Sequence, residues 1–272
     1  MLDYKIIEVS HLLSIAIQAS LKAGVAIMKV YESNNFNIEI KGDNSPLTQA
    51  DKNANDCINS FLLPTKIAII SEENKQADYS IRKKRNNCWI VDPLDGTKEF
   101  IKRNGEFTVN IALVVNGHPV LGVIYVPVTK TLYFADVEKK QGYKAILESH
   151  STDIEAVFKN ATPLNSKAKN LSPIQVVGSR THMNQETLDF VEKLKSTGKE
   201  VEIVSKGSSL KFCLVAEGNA DVYPRYAPTM EWDTAAGQAI CNAVGVDIVS
   251  IETNKTLLYN KENLLNPWFI CK

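Results

Sequence analysis

The chain has 272 residues, 44% of them hydrophobic, which is enough to bury a substantial core without disulfides or structural metals. Its 31 basic and 31 acidic residues cancel, so the composition excludes the strongly positive charge of proteins that bind nucleic acid polymers non-specifically. The five cysteines include no C-x-x-C pair, a pattern typical of reduced thiols in a cytoplasmic protein.

The first residues lack the basic region and apolar core of a secretory signal. No apolar run approaches the length that crosses a bilayer, so we expect no transmembrane segment. We therefore predict a cytoplasmic protein. Peripheral attachment to the cytoplasmic side of an inner membrane is left open, as is the oligomeric state.

Two helices are predicted near the start of the chain. Residues 5–31 carry apolar residues at three-and-four spacing, which indicates an amphipathic helix that packs on a sheet. A turn cluster follows at 41–46, and a second helix begins near Thr48 and runs to about Leu63. Thr48 and Asp51 fit a helix-capping pattern, so their spacing alone favours a capping role for Asp51.

Two predicted strands end in acidic residues. The apolar run Ile67–Ile70 is followed by Glu72 and Glu73. The apolar run Trp89–Val91 is followed by Asp92. Because consecutive side chains of an extended segment point in opposite directions, only one of the two glutamates can face the same site as Asp92. The alternative is an exposed acidic loop, but carboxylates at two separate strand ends favour a shared site.

The six residues Asp92–Thr97 contain a predicted strand end, a tight turn and a helix start. Asp92, Asp95 and the carbonyl group of Leu94 offer hard oxygen ligands for a metal. Gly96 permits the tight turn, and free amides at a helix start favour an anion. A metal and a phosphate would therefore meet at one turn. The alternative is that the two aspartates only cap turns, as Asp-Pro and Asp-Gly pairs do in most proteins.

Three further strands complete the predicted N-terminal half, and the first two form a hairpin. They cover 107–115, 120–126 and 131–135. We expect an antiparallel sheet backed by the two helices. The charged stretch 74–87, which includes Arg82–Arg85, is predicted to be a solvated loop. An irregular, polar stretch at 138–172 marks the passage between two halves, residues 1–160 and 161–272.

The second half alternates strands and helices. Strands are predicted at 174–178, 201–204 and 220–223, and helices at 186–195, 208–217 and 233–244. This alternation favours an α/β layer with a mixed, mostly parallel sheet. Ser208 and Lys211 lie one turn apart on a helix, where Lys211 either binds a phosphate or is merely solvated. Asp233 is either an N-cap or a metal ligand from this half.

The segment Asp92–Thr97 resembles the signature of the inositol monophosphatase-type phosphatases, which are magnesium-dependent and lithium-sensitive. Matching segments follow the order expected for that family: Asp43–Asp51, Ser71–Glu73, Gly207–Gly218 and Trp232–Gly237. Together they most resemble the CysQ-type 3'(2'),5'-bisphosphate nucleotidases, over essentially the whole chain. The resemblance implies a layered αβαβα sandwich, with an antiparallel sheet in the first half and a mixed sheet in the second.

The resemblance also implies a metal centre. Its ligands would be Glu72, Asp92, Leu94, Asp95 and Asp233. They would hold two or three Mg²⁺ ions, with Asp92 bridging two ions about 3.5–4 Å apart. Asp51 and Thr97 would orient the attacking water, and Glu72 would belong to the same catalytic group. Glu73 would have a supporting role.

The substrate contacts that the resemblance implies overlap with these ligands. They are Glu72, Leu94, Asp95, Gly96, Thr97, His182, Ser208, Lys211, Arg225 and Asp233. Lys211 and Arg225 would hold the phosphate that is not cleaved. His182 lies in a segment that in the family approaches the adenosine, although Gly178 and Thr181 depart from the usual pattern there.

The activity implied is removal of the 3'-phosphate from adenosine 3',5'-bisphosphate to leave AMP, and the same reaction on its sulfated analogue, in sulfur assimilation or nucleotide recycling. The expected partner is thus a small bisphosphorylated nucleotide and not a nucleic acid polymer. One alternative is an inositol or other sugar-phosphate phosphatase with the same metal centre. Another is a noncatalytic nucleotide-binding protein, which predicts a missing metal ligand, and none of the expected acids is missing.

Overall fold

The computed structural model of the chain describes residues 2–33, 39–40, 46–150, 153–166, 172–178 and 183–272. These residues form eight α-helices: α1 (Leu2–Tyr31), α2 (Gln49–Leu62), α3 (Tyr79–Arg82), α4 (Thr97–Ile101), α5 (Ile154–Lys159), α6 (Gln185–Lys195), α7 (Leu210–Ala216) and α8 (Glu231–Ala243). A short 3₁₀ helix covers Leu63–Thr65. The same residues form fourteen strands: β1 (Glu39–Ile40), β2 (Pro46–Leu47), β3 (Ala68–Ser71), β4 (Asn87–Asp95), β5 (Thr108–Val115), β6 (His118–Val126), β7 (Thr131–Asp136), β8 (Gln141–Ile146), β9 (Thr162–Pro163), β10 (Ile174–Gly178), β11 (Val201–Ser205), β12 (Tyr223–Arg225), β13 (Ile248–Ser250) and β14 (Phe269–Cys271).

A seven-stranded sheet in the order β3 to β9 forms the centre of the molecule. Only the pairing of β3 with β4 is parallel, and the other neighbours are antiparallel. Helices cover both faces, which explains why the central strands read as continuous apolar runs. In β4, Trp89 and Val91 join the core beneath α1 and α2, whereas Ile90 joins the core beneath α7 and α8.

Helix α1 confirms the predicted amphipathic helix on the sheet. Its stretch Val9–Tyr31, with a hydropathy of 1.4, is long and apolar enough to cross a membrane by length and composition, contrary to our expectation that no such run exists. Ile17 and Leu21 are nevertheless fully buried in the core with α2 and the sheet. Its apolar residues are therefore accounted for by packing inside the protein.

The second half forms two further layers. Strands β10 and β11 pair in parallel, and a parallel bridge between Val176 and Val222 connects them to the segment that enters β12. Helix α6 packs outside this sheet through Val191. The order of helices and sheets gives the expected layered αβαβα architecture with a mixed second sheet.

The end of the chain adds antiparallel strands that the sequence pattern did not predict. Strand β14 lies between β12 and β13 and is antiparallel to both, so the second sheet contains as many antiparallel as parallel pairings. Strands β13 and β14 have only three residues each, which is too short for a period-two pattern to stand out. The strand predicted at 220–223 is displaced to Tyr223–Arg225.

Two loop predictions require correction. The stretch 138–172 contains β8, α5 and β9, so it is not irregular throughout, and Tyr143 of β8 stacks on Phe134 with ring centroids 5.3 Å apart. Arg82 is buried, not solvated, and its guanidinium donates to Asn260 Oδ1 at 2.9 Å and to the Lys261 carbonyl at 3.0 Å. A buried guanidinium requires such acceptors, and they are distant in sequence. The boundary between residues 160 and 161 stays a prediction.

Close packing fixes helix α8 against the central sheet. A Cβ atom on Gly122 of β6 would lie 2.5 Å from the Ala236 carbonyl oxygen and 2.7 Å from the Ala239 Cβ atom. A Cβ atom on Gly237 would lie 2.4 Å from the ring of Phe212 on α7. Only glycine allows these approaches, and they hold the N-terminus of α8, with Asp233, beside the end of β4.

Candidate metal centre

A β-bulge at the end of β4 places two aspartates on one side of the sheet. Asp92 pairs with Asn110 of β5, and Asp95 pairs with Thr108, so three steps along β4 match two steps along β5. Residues three apart in a regular strand point to opposite faces, whereas the bulge restores both aspartates to the same face. Pro93 lies within the bulge, where its missing N–H breaks the ladder.

Asp233 completes an acidic cluster with these two residues. Carboxylate oxygens of Asp92, Asp95 and Asp233 lie within 4.8 Å of one another. Asp92 Oδ1 also accepts a hydrogen bond from the Leu94 amide at 3.1 Å, and Asp233 Oδ2 accepts one from the Met230 amide at 2.8 Å. Asp233 is therefore not the N-cap residue that the sequence suggested, because α8 begins at Glu231 and Met230 is the N-cap. From the third position of the helix, Asp233 accepts the Met230 amide and also faces the cluster.

Burial and the crowding of negative charge raise the pKa values of Asp92 and Asp233. Burial, followed by the charges of Glu72 and Asp95, raises the pKa of Asp92 well above its usual range. Burial and the charge of Asp95 raise the pKa of Asp233 to about 8, although the hydrogen bond from Met230 opposes the rise. A divalent cation would relieve this repulsion, and carboxylate oxygens are the ligands that Mg²⁺ and other hard cations prefer. The donor set therefore fits a hard metal.

Glu72 and Leu94 lie at the same strand ends. Glu72 follows β3, and its amide donates to the Val91 carbonyl at 3.1 Å, which holds it beside β4. After burial, its charge is the largest contribution to the raised pKa of Asp92, so Glu72 faces the cluster. The charge of Glu73 is not among the causes of the raised pKa of Asp92. The Leu94 carbonyl oxygen lies 3.4 Å from the Thr97 hydroxyl.

Asp51 both caps helix α2 and contacts the centre. Its Oδ2 atom accepts hydrogen bonds from the Thr48 amide at 2.8 Å and the Thr48 hydroxyl at 2.6 Å. Its Oδ1 atom accepts a hydrogen bond from the Thr97 hydroxyl at 3.2 Å. Capping therefore uses only one oxygen of the buried carboxylate, and the other contacts Thr97, so the cap does not exclude the role that the resemblance implies.

Gly96 forms the turn between β4 and α4. Its φ angle is +93°, in the region that favours glycine, and a Cβ atom there would lie 3.2 Å from the Glu106 carbonyl oxygen. The turn brings Thr97 to the first position of α4, next to Asp95. The structure thus explains why glycine occupies this position.

A cavity of about 510 Å³ opens beside the cluster, with Asp95, Gly96 and Asp233 in its wall. Lys211 and Arg225 line it as well. The Lys211 Nζ atom donates to the Ser208 carbonyl at 2.7 Å, and burial lowers the pKa of Lys211 to about 8. Arg225 donates from Nη2 to the Pro228 carbonyl at 3.3 Å, and its buried Nε atom has no hydrogen-bond partner among the described residues. Both side chains therefore suit an anion in the cavity.

The serines before α7 contact the acidic cluster directly. The hydroxyl groups of Ser208 and Ser209 donate to Asp95 Oδ2 at 2.6 and 2.7 Å. The Asn110 side-chain amide donates to the same oxygen at 3.3 Å. Sequence reasoning assigned Ser208 to substrate and missed Ser209 and Asn110. The available signal was a polar residue inside the apolar strand β5.

His182, which we expected near the substrate, lies outside the described residues. Of the remaining predicted substrate and metal residues, the structure brings together those at the ends of β3 and β4, the residues before and within α7, and Asp233.

All five cysteine thiols are free.

Comparison with known proteins extends the sequence pattern to the whole chain. The inositol monophosphatase family matches residues 8–268. The 3'(2'),5'-bisphosphate nucleotidase CysQ of Salmonella typhimurium is 44% identical over 256 residues, which cover 93% of this chain and 96% of the relative. The protein of the same name from Escherichia coli K12 is 42% identical over 256 residues, with the same coverage.

The fold agrees with solved structures of the same group. The crystal structure of CysQ from Bacteroides thetaiotaomicron superposes with a TM-score of 0.86 at 49% identity, over 96% of this chain and 97% of that one. The suhB protein of Bartonella henselae, at 23% identity and a TM-score of 0.70, shares the fold over 96% of this chain and 93% of its own. The chain therefore belongs to the inositol monophosphatase family.

Proposed function

We propose that this chain is a magnesium-dependent phosphatase that removes the 3'-phosphate from adenosine 3',5'-bisphosphate and from its sulfated analogue. The observation that carries the proposal is the placement of Asp92, Asp95 and Asp233 beside a cavity lined by Lys211 and Arg225. Relatives at 42–44% identity bear the name 3'(2'),5'-bisphosphate nucleotidase, which supports the same substrate class.

Two or three Mg²⁺ ions would be held by the three aspartates together with Glu72 and the Leu94 carbonyl. Bound there, they would polarise the phosphoryl group and neutralise the charge that develops during its transfer. The protein contributes fixed ligand positions: the β4 bulge sets Asp92 and Asp95, and the close packing of α8 sets Asp233.

Asp51 and Thr97 would position and deprotonate the attacking water. The Thr97 hydroxyl donates its proton to Asp51 Oδ1, so its oxygen lone pairs remain available to accept a proton from a water. As the water attacks, its proton would pass to Thr97 while the Thr97 proton moves to Asp51. Thr48 holds the other oxygen of Asp51, so the carboxylate is already oriented for this transfer.

Lys211 and Arg225 would hold the 5'-phosphate, which is not cleaved. Burial lowers the pKa of Lys211, and repulsion by the charge of Arg225 lowers it further. A phosphate dianion between them would relieve that repulsion and supply an acceptor for the unpartnered Arg225 Nε atom. A substrate with two phosphates can use both sides of the cavity, and one with a single phosphate cannot.

An inositol or other sugar-phosphate phosphatase is the main alternative, because its chemistry needs only the acidic side of the cavity. A panel of substrates separates the two. Phosphate release should be fastest from adenosine 3',5'-bisphosphate and its sulfated analogue, with inositol 1-phosphate and fructose 1,6-bisphosphate far slower. Preference for either sugar phosphate would overturn the proposed substrate. No release from any of them would favour a noncatalytic binding protein.

The same assay tests the metal. Mg²⁺ should activate and excess chelator should abolish phosphate release, because all proposed ligands are hard oxygens. Ca²⁺ should inhibit, since it is larger and less exacting in geometry. Li⁺ should inhibit by family resemblance. Full activity in excess chelator would contradict the proposed metal dependence.

A further inference from the structure

One oxygen of the Asp95 carboxylate accepts three hydrogen bonds. Ser208 and Ser209 donate to Oδ2 at 2.6 and 2.7 Å, and Asn110 donates to it at 3.3 Å. A carboxylate oxygen has two lone pairs, so three donors saturate Oδ2 and leave Oδ1 as the oxygen that can bind a cation. The contacts thus define how Asp95 would enter a metal shell, through one oxygen and in one orientation.

The donors are themselves held by a buried network from a different part of the chain. The Thr108 hydroxyl donates to Asn110 Oδ1 at 2.9 Å and lies 2.7 Å from the Ser208 hydroxyl. Asn110 also donates to the Ser209 hydroxyl at 2.8 Å. Thr108, Asn110 and Ser209 are almost completely buried, so water does not compete for these groups. Strand β5 and the segment before α7 therefore jointly orient Asp95.

Ser209 also connects two of the three clustered aspartates. Besides its bond to Asp95, its hydroxyl lies 3.1 Å from the carbonyl oxygen of Asp233. Asp95 belongs to the first half of the chain and Asp233 to the second, so this hydroxyl links the halves where they meet. Ser208 has a φ angle of +51°, which is uncommon for serine, and its hydroxyl bonds to Asp95 help to hold that conformation.

We propose that Thr108, Asn110, Ser208 and Ser209 are positioning residues that set the cation affinity of the centre by fixing Asp95. The role of Ser208 is then to orient a metal ligand, and not only to contact substrate. The inference rests on the cation binding in the proposed function but not on the identity of the substrate. Outer partners of metal ligands commonly change metal affinity by about 10–100-fold.

Two substitutions remove single hydroxyl groups from this network. Ser209→Ala deletes a donor to Asp95, and Thr108→Val deletes the hydroxyl that donates to Asn110 while keeping the branched shape. Thr108→Ser restores the hydroxyl. Ser20→Ala is a matched control, because Ser20 is equally buried and its hydroxyl bonds, among the described residues, to the Ile17 carbonyl of its own helix.

Calorimetric titration of the full chain with MgCl₂, without substrate, measures the expected effect. Ser209→Ala and Thr108→Val should weaken Mg²⁺ binding about 10-fold or more, and should raise the Mg²⁺ concentration for half-maximal activity equally. At saturating Mg²⁺, kcat should stay within about threefold of wild type. Thr108→Ser and Ser20→Ala should bind Mg²⁺ like wild type, and thermal unfolding in chelator shows which variants are folded.

Unchanged Mg²⁺ affinity in a folded Ser209→Ala or Thr108→Val variant would overturn the inference. So would a loss of kcat that saturating Mg²⁺ does not repair, because that result places the residues in the chemical step. If the wild type binds Mg²⁺ but does not cleave the bisphosphate, the proposed substrate fails while the binding data still decide the inference. If the wild type binds no Mg²⁺, both fail.

Discussion

The two sides of the cavity carry opposite charge and are held in different ways. On the acidic side, Asp92 and Asp233 have raised pKa values and short side chains fixed by backbone amides. On the basic side, Lys211 has a lowered pKa, and the long side chain of Arg225 leaves its Nε atom without a partner among the described residues. Each side is electrostatically unfavourable until an oppositely charged ligand arrives.

The comparison indicates that reaction chemistry and substrate choice are separable. The rigid acidic side would bind cations and act on any phosphate ester that reaches it. The basic side would act only on a substrate with a second phosphate. Substitutions on the acidic side should therefore lower kcat, whereas substitutions on the basic side should mainly change substrate selectivity, and the effects should also differ in size.

The largest effect should follow removal of one charge from the acidic side. Asp92→Asn keeps the size of the side chain and an acceptor for the Leu94 amide, but it removes the charge of the most buried of the three clustered aspartates. We expect kcat to fall roughly 10³-fold, since electrostatic stabilisation of the transition state is lost. Phosphate release at saturating Mg²⁺ measures this loss.

Asp136→Asn is the control for this change, because Asp136 is a buried carboxylate on β7 that bonds to Lys139 and lies outside the cluster. Its activity should match that of the wild type. In chelator, Asp92→Asn should melt at or above the wild-type temperature, because a buried, repelled charge has been removed. If Asp92→Asn retained activity, the reaction would not depend on the acidic side, and the assignment of chemistry to that side would be wrong.

The next effect concerns the water that attacks phosphorus. Thr97→Val removes the hydroxyl that donates to Asp51, and we expect kcat to fall roughly 100-fold because proton transfer loses its relay. Thr97→Ser keeps the hydroxyl and should retain most activity. KM for the bisphosphate should change little in both variants. If Thr97→Val were as active as Thr97→Ser, the Thr97 hydroxyl would have no role in the mechanism.

Substitutions on the basic side should change selectivity more than chemistry. We expect Lys211→Ala and Arg225→Ala to lower kcat/KM for adenosine 3',5'-bisphosphate by roughly 10–100-fold, or about 1.5–3 kcal/mol for a lost hydrogen bond to a charged group. Turnover of 3'-AMP should change much less, because it has no second phosphate. Steady-state kinetics on both substrates provides the comparison.

Lys193→Ala, which removes an exposed lysine of α6, should leave both substrates unaffected. Equal large losses on both substrates in Lys211→Ala would show that Lys211 supports the metal centre or the fold. Nearly unchanged kinetics would show that Lys211 does not contact the substrate. Either result would favour a general phosphatase over a bisphosphate nucleotidase.

The sequence predicted the acidic side better than the basic side because its signals are local. An apolar run followed by an acidic residue indicates a strand end, and Pro93 and Gly96 indicate where the ladder breaks and the chain turns. The capping pattern at Thr48 and Asp51 was equally visible, but it could not show that the second oxygen of Asp51 faces Thr97. The spacing of Thr48 and Asp51 shows the capping contact of one oxygen and carries no information about the contact of the other.

Contacts between distant segments could not be predicted in this way. Asn110 and Thr108 look like polar interruptions of an apolar strand, and their partners Ser208 and Ser209 lie about 100 positions later. The guanidinium of the buried Arg82 donates to oxygens of residues 260–262, which lie about 180 positions later. The bulge in β4 belongs to the same class, because only the pairing with β5 shows that Asp92 and Asp95 share a face.

The smallest effect, on stability, should be visible in the metal-free protein. Asp233 has a pKa of about 8 against an ordinary 3.8, and the pKa of Asp92 is also raised. Because the folded state holds these protons more tightly than the unfolded state, their stabilisation is fully present below about pH 3.8 and is lost as pH rises through about 8. In chelator, the free energy of unfolding should therefore fall between about pH 5 and pH 8, by at most about 1.4 kcal/mol per pH unit for each group.

Thermal unfolding in chelator at several pH values measures this slope, which corresponds to roughly 3 °C per pH unit. Mg²⁺ should raise the midpoint most near pH 8, because the carboxylates bind metal in their ionised form. Asp233→Asn retains an acceptor for the Met230 amide and should flatten the slope in chelator. A slope that is the same in Asp233→Asn and wild type would mean that Asp233 does not contribute to it and that Asp92 or other groups cause it.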